Sequence, residues 1–243
     1  MIEVDVRSLL HIGVHKTGTT SIQQFLREHI GEPRFPLGLF YPNAHNELAA
    51  LALRPQRQDA LQAVLGSHST PGWRARAERH LSVMLERTDE LILSTEALSL
   101  LCHADEVDRA LTLLLGRTPH VVIYVRDSTA FLERFRLTIE FFDVPKSSAP
   151  DSVTHLSADS WLVDFSSRIA LWREHCDVTV VDYDEVVARD HSVIPSFASL
   201  VGIPAVEYRL NTTESLLGEL ADSIKRSPEA MERFAEEMRR GGG

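Results

Sequence analysis

Four short runs dense in branched apolar residues, at positions 8–14, 91–94, 120–125 and 177–182, alternate with helical patterns at 20–29, 74–87, 105–115, 129–141 and 159–174. The runs lack the period-2 alternation of a sheet with one wet face, so they predict strands covered on both sides. Parallel neighbours need a long crossover, and a helix is the usual element that supplies it. The expected fold class is therefore α/β, a single domain over 1–240 with a central parallel sheet flanked by helices. A chain of 243 residues, 44% apolar and 25% charged, is long enough to bury one sizeable core. No internal repeat and no linker divides it.

Two stretches break the alternation. Residues 31–55 are rich in proline, glycine and aromatics and predict an irregular excursion after the first helix, a kind of segment that often carries binding residues. Residues 143–157 hold two prolines and five serines or threonines and are long enough to form a lid. From 184 onward the pattern is helical, with amphipathic charged stretches at 214–227 and 228–239.

Composition narrows the partners. The longest apolar runs fall far short of the ~20 residues of a membrane helix, so no membrane span is expected. The start, Met1-Ile2-Glu3-Val4-Asp5, is acidic where a secretory signal is basic, and a cytoplasmic protein is the expectation. A net charge of −10 disfavours nucleic acid and anionic surfaces, whose binding draws on clustered Lys and Arg. Cys102 and Cys176 are far apart and form no metal-ligand spacing, so they read as reduced structural thiols. The closing Gly241-Gly242-Gly243 is left out of the fold.

The first strand-like run leads into Gly13-Val14-His15-Lys16-Thr17-Gly18-Thr19-Thr20-Ser21, and a helix begins there. Strand, glycine-containing loop, helix is the order that builds an anion cradle. The helix start offers unpaired N–H groups and a partial positive charge, and Gly18 lets the backbone approach a phosphate. Lys16 adds a full charge, and Thr17, Thr19, Thr20 and Ser21 add hydroxyl donors. His15 reads as a support of the loop or as a group facing the phosphates. The loop is not a Walker A motif: after Gly13-x4-Gly18 come Thr19-Thr20 rather than Lys-Ser/Thr, and the lysine precedes the second glycine.

Gly13-Val14-His15-Lys16-Thr17-Gly18-Thr19-Thr20-Ser21-Ile22-Gln23 resembles the 5′-phosphosulfate loop of bacterial members of the PAPS-dependent sulfotransferase family. The resemblance implies a P-loop-like fold and a reaction moving a sulfuryl group from PAPS to an acceptor hydroxyl or amine, with PAP as product and no metal. In that family an arginine at a strand end and a serine two helical turns later bind the 3′-phosphate. Arg126 matches the arginine; Arg134 stands where the serine aligns, so either Arg134 or Ser128 takes its place, or 3′-phosphate recognition is weakened.

The reaction needs a base for the acceptor proton and donors for the departing phosphate. Lys16 and the loop amides suit the second task. For the base, His45 comes first, because related bacterial sequences carry a histidine in this segment and its ordinary pKa is near neutral. Glu47 is an alternative, since other branches of the family use a glutamate. Glu96, in Leu93-Ser94-Thr95-Glu96 at the end of a buried strand, is a third, placed where open parallel sheets form their crevice. His11 and His15 diverge across a strand end and predict no zinc site. Asp164 and Arg168 have the spacing of a helix ion pair. Phe141, Phe142, Trp161 and Phe165 are core aromatics or an acceptor pocket.

The expected acceptor is a small molecule or a carbohydrate. Two other readings stay open: a nonenzymatic nucleotide- or partner-binding protein on the same scaffold, and an ATP-dependent phosphotransferase.

Overall fold

The computed structural model describes residues 8–203. The helices expected at 214–227 and 228–239 lie outside them. Four strands, β1 (Ser8–His11), β2 (Leu91–Ser94), β3 (His120–Val125) and β4 (Val178–Asp182), form one all-parallel sheet in the order β2-β1-β3-β4. The helices are α1 (Thr19–His29), α2 (Asn46–Ala52), α3 (Gln58–Leu65), α4 (Trp73–Glu86), α5 (Ala104–Leu113), α6 (Ser128–Phe141), α7 (Phe165–Arg173), α8 (Tyr183–Asp190) and α9 (Ile194–Leu200). The expected parallel α/β class is what the described residues form.

Successive residues of the strands serve two different cores, because side chains alternate faces along a strand. Leu10, Ile12 and Val14 after and within β1, Leu91 and Leu93 of β2, and Val121 and Ile123 of β3 join one cluster with α2, α4, α5, α6 and α7. The intervening Leu9, Ile92, Val122 and Tyr124 are equally buried but belong to the other face. There His11 packs edge-on against Tyr124 and Phe197 of α9, at 5.7 and 5.3 Å between ring centroids, and α1 packs on α9. Burial on both faces is why the strand sequences show no polar alternation. β4 departs from that expectation: among the described residues it is a sheet edge with one neighbour, residues 178–181 are half-buried and Asp182 is exposed.

The excursion at 31–55 is only partly irregular. Residues 46–52 form α2, whose Leu48, Ala49, Ala50 and Ala52 are fully buried. Tertiary packing selects a helix here although the surrounding prolines and glycines obscure its pattern. The 159–174 helix is also split: Trp161–Val163 make a 3-10 turn, and Asp164 caps α7 by accepting from the Ser167 amide. Residues 143–157 contain no regular element, yet they are no free lid. Asp59 Oδ2 accepts from the Ser152 hydroxyl at 2.7 Å and the Val153 amide at 2.9 Å, and Val153 is fully buried.

All strands being parallel, their C-terminal ends share one edge of the sheet. The chain leaves β1 towards β2 on one side, crosses back over β1 to β3, and continues outward to β4. Connections thus diverge after β1 and β3, and the ends of those two strands form the switch point at which open α/β sheets bind ligands. The loop of Lys16 follows β1, and Arg126 follows β3.

Candidate functional site

The loop is held in a shape few sequences tolerate. Gly13 lies so close to its surroundings that a Cβ there would come within 2.9 Å of Thr17 Oγ1 and 3.0 Å of His11 Nε2. Gly18 has φ +75°, the left-handed region that favours glycine, and packs on Val193 of the opposite core. Lys16 also has positive φ, 67°, a strained choice for a residue with a side chain. Thr17 is fully buried and donates its hydroxyl to the Val14 carbonyl at 2.6 Å, so it shapes the loop and is not free to meet a ligand.

Gly18 then caps α1 without a side-chain hydrogen bond, and no acidic residue sits in the first turn. The first-turn N–H groups have no intrahelical partner, which leaves a locus of partial positive charge. Thr19 is 3% exposed, and its hydroxyl has no hydrogen-bond partner. Lys16 and Thr20 are exposed and Ser21 is half-buried. An uncapped helix end, an unpaired buried hydroxyl and an exposed lysine where the connections diverge together make a candidate site for an anion with several acceptor oxygens.

Three other strand ends complete the surroundings. Arg126 donates from Nη1 to the Lys16 carbonyl at 2.7 Å, lies over the Tyr183 ring at 5.0 Å and has Nη2 3.7 Å from Asp184 Oδ1. Arg126 therefore braces the strained loop, and its charge is shared with a carboxylate. Its Nε, by contrast, is buried with no hydrogen-bond partner. Ser128 and Arg134 lie exposed on α6, whose cap is Asp127, accepting from the Ala130 amide at 2.8 Å.

His15, 5% exposed, sets Nε2 3.8 Å from Glu96 Oε1 and its ring edge against Phe135 at 4.7 Å. Burial pushes its pKa down to about 4, against the opposing pull of Glu96, so the ring is neutral at pH 7. Its Nδ1 has no partner. His15 sits beneath the loop, and Glu96, with its side chain 35% exposed, is the member of the pair that solvent reaches.

The other two candidate bases are displaced from this edge. His45 is fully buried; the Ser94 amide donates to its Nδ1 at 3.1 Å, which leaves Nε2–H to donate to the Pro36 carbonyl at 3.1 Å. With both nitrogens engaged and its pKa pushed down to about 4 by burial, it ties the excursion to the end of β2 and has no path to an acceptor hydroxyl. Glu47 is also fully buried, accepts from the Leu39 amide at 3.3 Å and lies 3.6 Å from His80 Nε2. Burial pushes its carboxyl up to about 7. A histidine and a glutamate in a loop-like stretch look catalytic in sequence; that they point inward is a consequence of α2.

Asp164 and Arg168 do not pair as their spacing predicts. The Asp164 carboxylate takes the Ser166 hydroxyl and the Ser167 amide, while Arg168 turns into the core. The four aromatics also separate. Phe141 and Phe142 meet each other 5.1 Å apart, whereas Phe165 and Trp161 lie 5.0 and 5.7 Å from the Arg168 guanidinium. Cys102, His103 and Glu106 come together, a grouping that sequence spacing did not suggest. Glu106 is committed elsewhere, however, accepting from Arg57, the Arg54 amide and the Cys102 amide, and burial pushes the Cys102 thiol up to about 12. Arg57 next to the cluster opposes a further cation.

No protein-family model matches the chain, and no curated protein matches it. What the fold and the site define is an α/β protein with a parallel sheet and a candidate anion cradle at its switch point.

Proposed function

We propose that the protein is a sulfotransferase on a P-loop-like fold that moves a sulfuryl group from PAPS to a hydroxyl-bearing acceptor. The observation that carries this reading is the loop itself: Gly18 starting an uncapped helix, the unpaired Thr19 hydroxyl, and Lys16 exposed beside them, all at the switch point between β1 and β3. These groups fit the 5′-phosphosulfate. The lysine-first order of the loop favours this donor over a Walker-type nucleotide.

The acceptor oxygen attacks sulfur, the bond from sulfur to the phosphate oxygen breaks, the acceptor's proton passes to a base, and PAP leaves. Lys16 and the first-turn amides of α1 stabilise the charge that grows on the departing phosphate. Glu96 is the base we favour, since it alone of the three candidates combines solvent access with a position at the strand-end edge. His15 beside it is a positioning residue. The 3′-phosphate falls to the exposed Ser128 and Arg134 together with Arg126, whose Nη1 is taken by the loop and whose Nη2 faces Asp184 while its Nε has no partner.

That last point gives weight to a second reading, a binder of nucleotides that lack a 3′-phosphate. Calorimetry with PAP, adenosine 5′-phosphosulfate and ATP with magnesium separates them. Tight PAP binding weakened by Lys16→Ala, followed by sulfuryl transfer from PAPS, supports the sulfotransferase. Equal affinity for PAP and adenosine 5′-phosphosulfate, or preference for ATP with magnesium, overturns it.

A further inference from the structure

Three connections meet at Arg126, and a carboxylate from one of them already answers its charge. The loop after β1 arrives through the Lys16 carbonyl, which accepts from Arg126 Nη1 at 2.7 Å; α6 starts at Asp127, and α8 starts at Tyr183 and Asp184. Asp184 reaches across from α8 to the other two. Its Oδ2 accepts from the Asp127 amide at 2.7 Å, and its Oδ1 lies 3.7 Å from Arg126 Nη2.

A backbone N–H at the positive end of a helix, with a guanidinium beside it, is the pair of groups an oxyanion takes, and here a side chain of the protein takes both. The neighbouring carboxylates have local duties. Asp127 caps α6 by accepting from the Ala130 amide at 2.8 Å, and Asp182 caps α8 by accepting from the Glu185 amide at 2.9 Å. Asp184 instead gives its carboxylate to another element. Its side chain is 46% exposed and that of Arg126 only 14%, so the carboxylate can turn into water while the guanidinium stays in place. A phosphate that comes to Arg126 therefore meets a negative charge at contact range, which subtracts from what the guanidinium offers.

We propose that Asp184 is a specificity-determining residue, a built-in competitor for the nucleotide's 3′-phosphate that sets how much this phosphate adds to binding. The proposal rests on the proposed function, which brings a 3′-phosphate to Arg126. Without ligand, the Asp184 carboxylate holds the Asp127 amide and offsets the Arg126 charge; the 3′-phosphate has to displace it. PAP is then held less tightly than Arg126 alone would hold it, which favours release of the product after transfer.

The test is calorimetry with PAP and with adenosine 5′-phosphate, which differ only in the 3′-phosphate. Asp184→Asn keeps the shape and an acceptor for the Asp127 amide but removes the charge. The wild type should bind PAP the tighter of the two, and Asp184→Asn should widen that margin about 3- to 10-fold while adenosine 5′-phosphate stays within about 2-fold. The widening should shrink as salt is raised. Asp184→Ala, which also frees the Asp127 amide, should tighten PAP as well. A margin unchanged or narrowed in Asp184→Asn overturns the proposal. So does an Asp184→Ala that weakens both nucleotides while Asp184→Asn restores both to wild-type affinity, since Asp184 is then a brace between α6 and α8. PAP binding with an unchanged margin sinks the proposal alone; binding of neither nucleotide by the wild type overturns the proposed function and the proposal with it.

Discussion

Two buried polar regions of this molecule invite comparison. Around Arg57 every charge meets its opposite: the guanidinium contacts Glu106 at 2.9 Å, lies 3.4 Å from Asp151 and gives a hydrogen bond to the Asp151 carbonyl at 3.0 Å. Around the Lys16 loop, by contrast, the Thr19 hydroxyl, His15 Nδ1 and His11 Nε2 are buried with no partner. The first region joins α3, α5 and the 143–157 segment, and a network whose charges are so paired holds structure together, although Arg57 Nε makes no hydrogen bond. The second is under-satisfied, and buried polar groups left unpaired mark a place kept for a ligand or for strain. Burial of charge by itself says little about function; whether the fold completes the pairing says more.

Acid should attack the two regions in sequence, and this is the largest effect we expect. Burial holds His11 at about 3 and His15 and His45 at about 4, against an ordinary 6.5. Folded pKa values below the unfolded ones mean stability that is present above 6.5 and lost as pH falls towards about 4, as the unfolded chain takes up protons first. Glu47 has the opposite sign: raised from 4.5 to about 7, it favours folding at low pH and loses that contribution as pH rises through about 7. One carboxyl opposes three histidines, so urea midpoints should fall between about pH 6.5 and 4. The Arg57 network yields later, since Asp151 is held below its ordinary 3.8 by His103 and Arg57, and its contribution is lost only below that value. Amide exchange showing the network opening before the loop would break the comparison.

Glu96→Gln should cut sulfuryl transfer by about 10²- to 10⁴-fold, the range of a lost general base, with PAP affinity unchanged. Retained turnover in this variant would return the question of the base to the rest of the edge. Arg57→Met should cost about 3–5 kcal/mol in urea unfolding, because Glu106 is left buried and unpaired. Replacing both, Arg57→Met with Glu106→Leu, should recover much of that loss while PAP binding stays as in the wild type. A large binding defect in the double variant would show that the network is no mere brace.

Lys16→Ala should weaken PAP about 10- to 100-fold with stability within about 0.5 kcal/mol of the wild type, a split that calorimetry and urea unfolding read separately. The smallest effect belongs to Thr19→Val. Removing an unpaired buried hydroxyl should leave the ligand-free protein equal or up to about 1 kcal/mol more stable, while PAP binding falls about 2- to 10-fold. Loss of stability instead would mean that the hydroxyl already has its partner.

Much of the fold was legible because short-range signals suffice for it. β2 and β3 occupy the predicted 91–94 and 120–125, and α1, α4 and α6 begin within a residue of expectation. The loop too was legible, since glycine, lysine and hydroxyls between strand and helix act through their own backbone. α2 was hidden: its seven residues gain their helix from packing, not from a polar face that a periodicity reveals. For the same reason His45 and Glu47 were read as candidate bases, when both are fully buried. Arg168 was read as half of a helix ion pair, although its neighbours Ser99 and Leu162 are carbonyl partners that only folding supplies.

The sequence by itself determined the alternation of strands and helices, the parallel sheet that follows from it, and the glycine-containing turn between β1 and α1, because each depends on residues near one another in the chain. The tertiary structure decided strand order, the direction of each candidate side chain, and which buried charges found partners. Those outcomes depend on contacts spanning up to 110 positions, as between Arg126 and the Lys16 carbonyl, and no local pattern encodes where such distant groups meet.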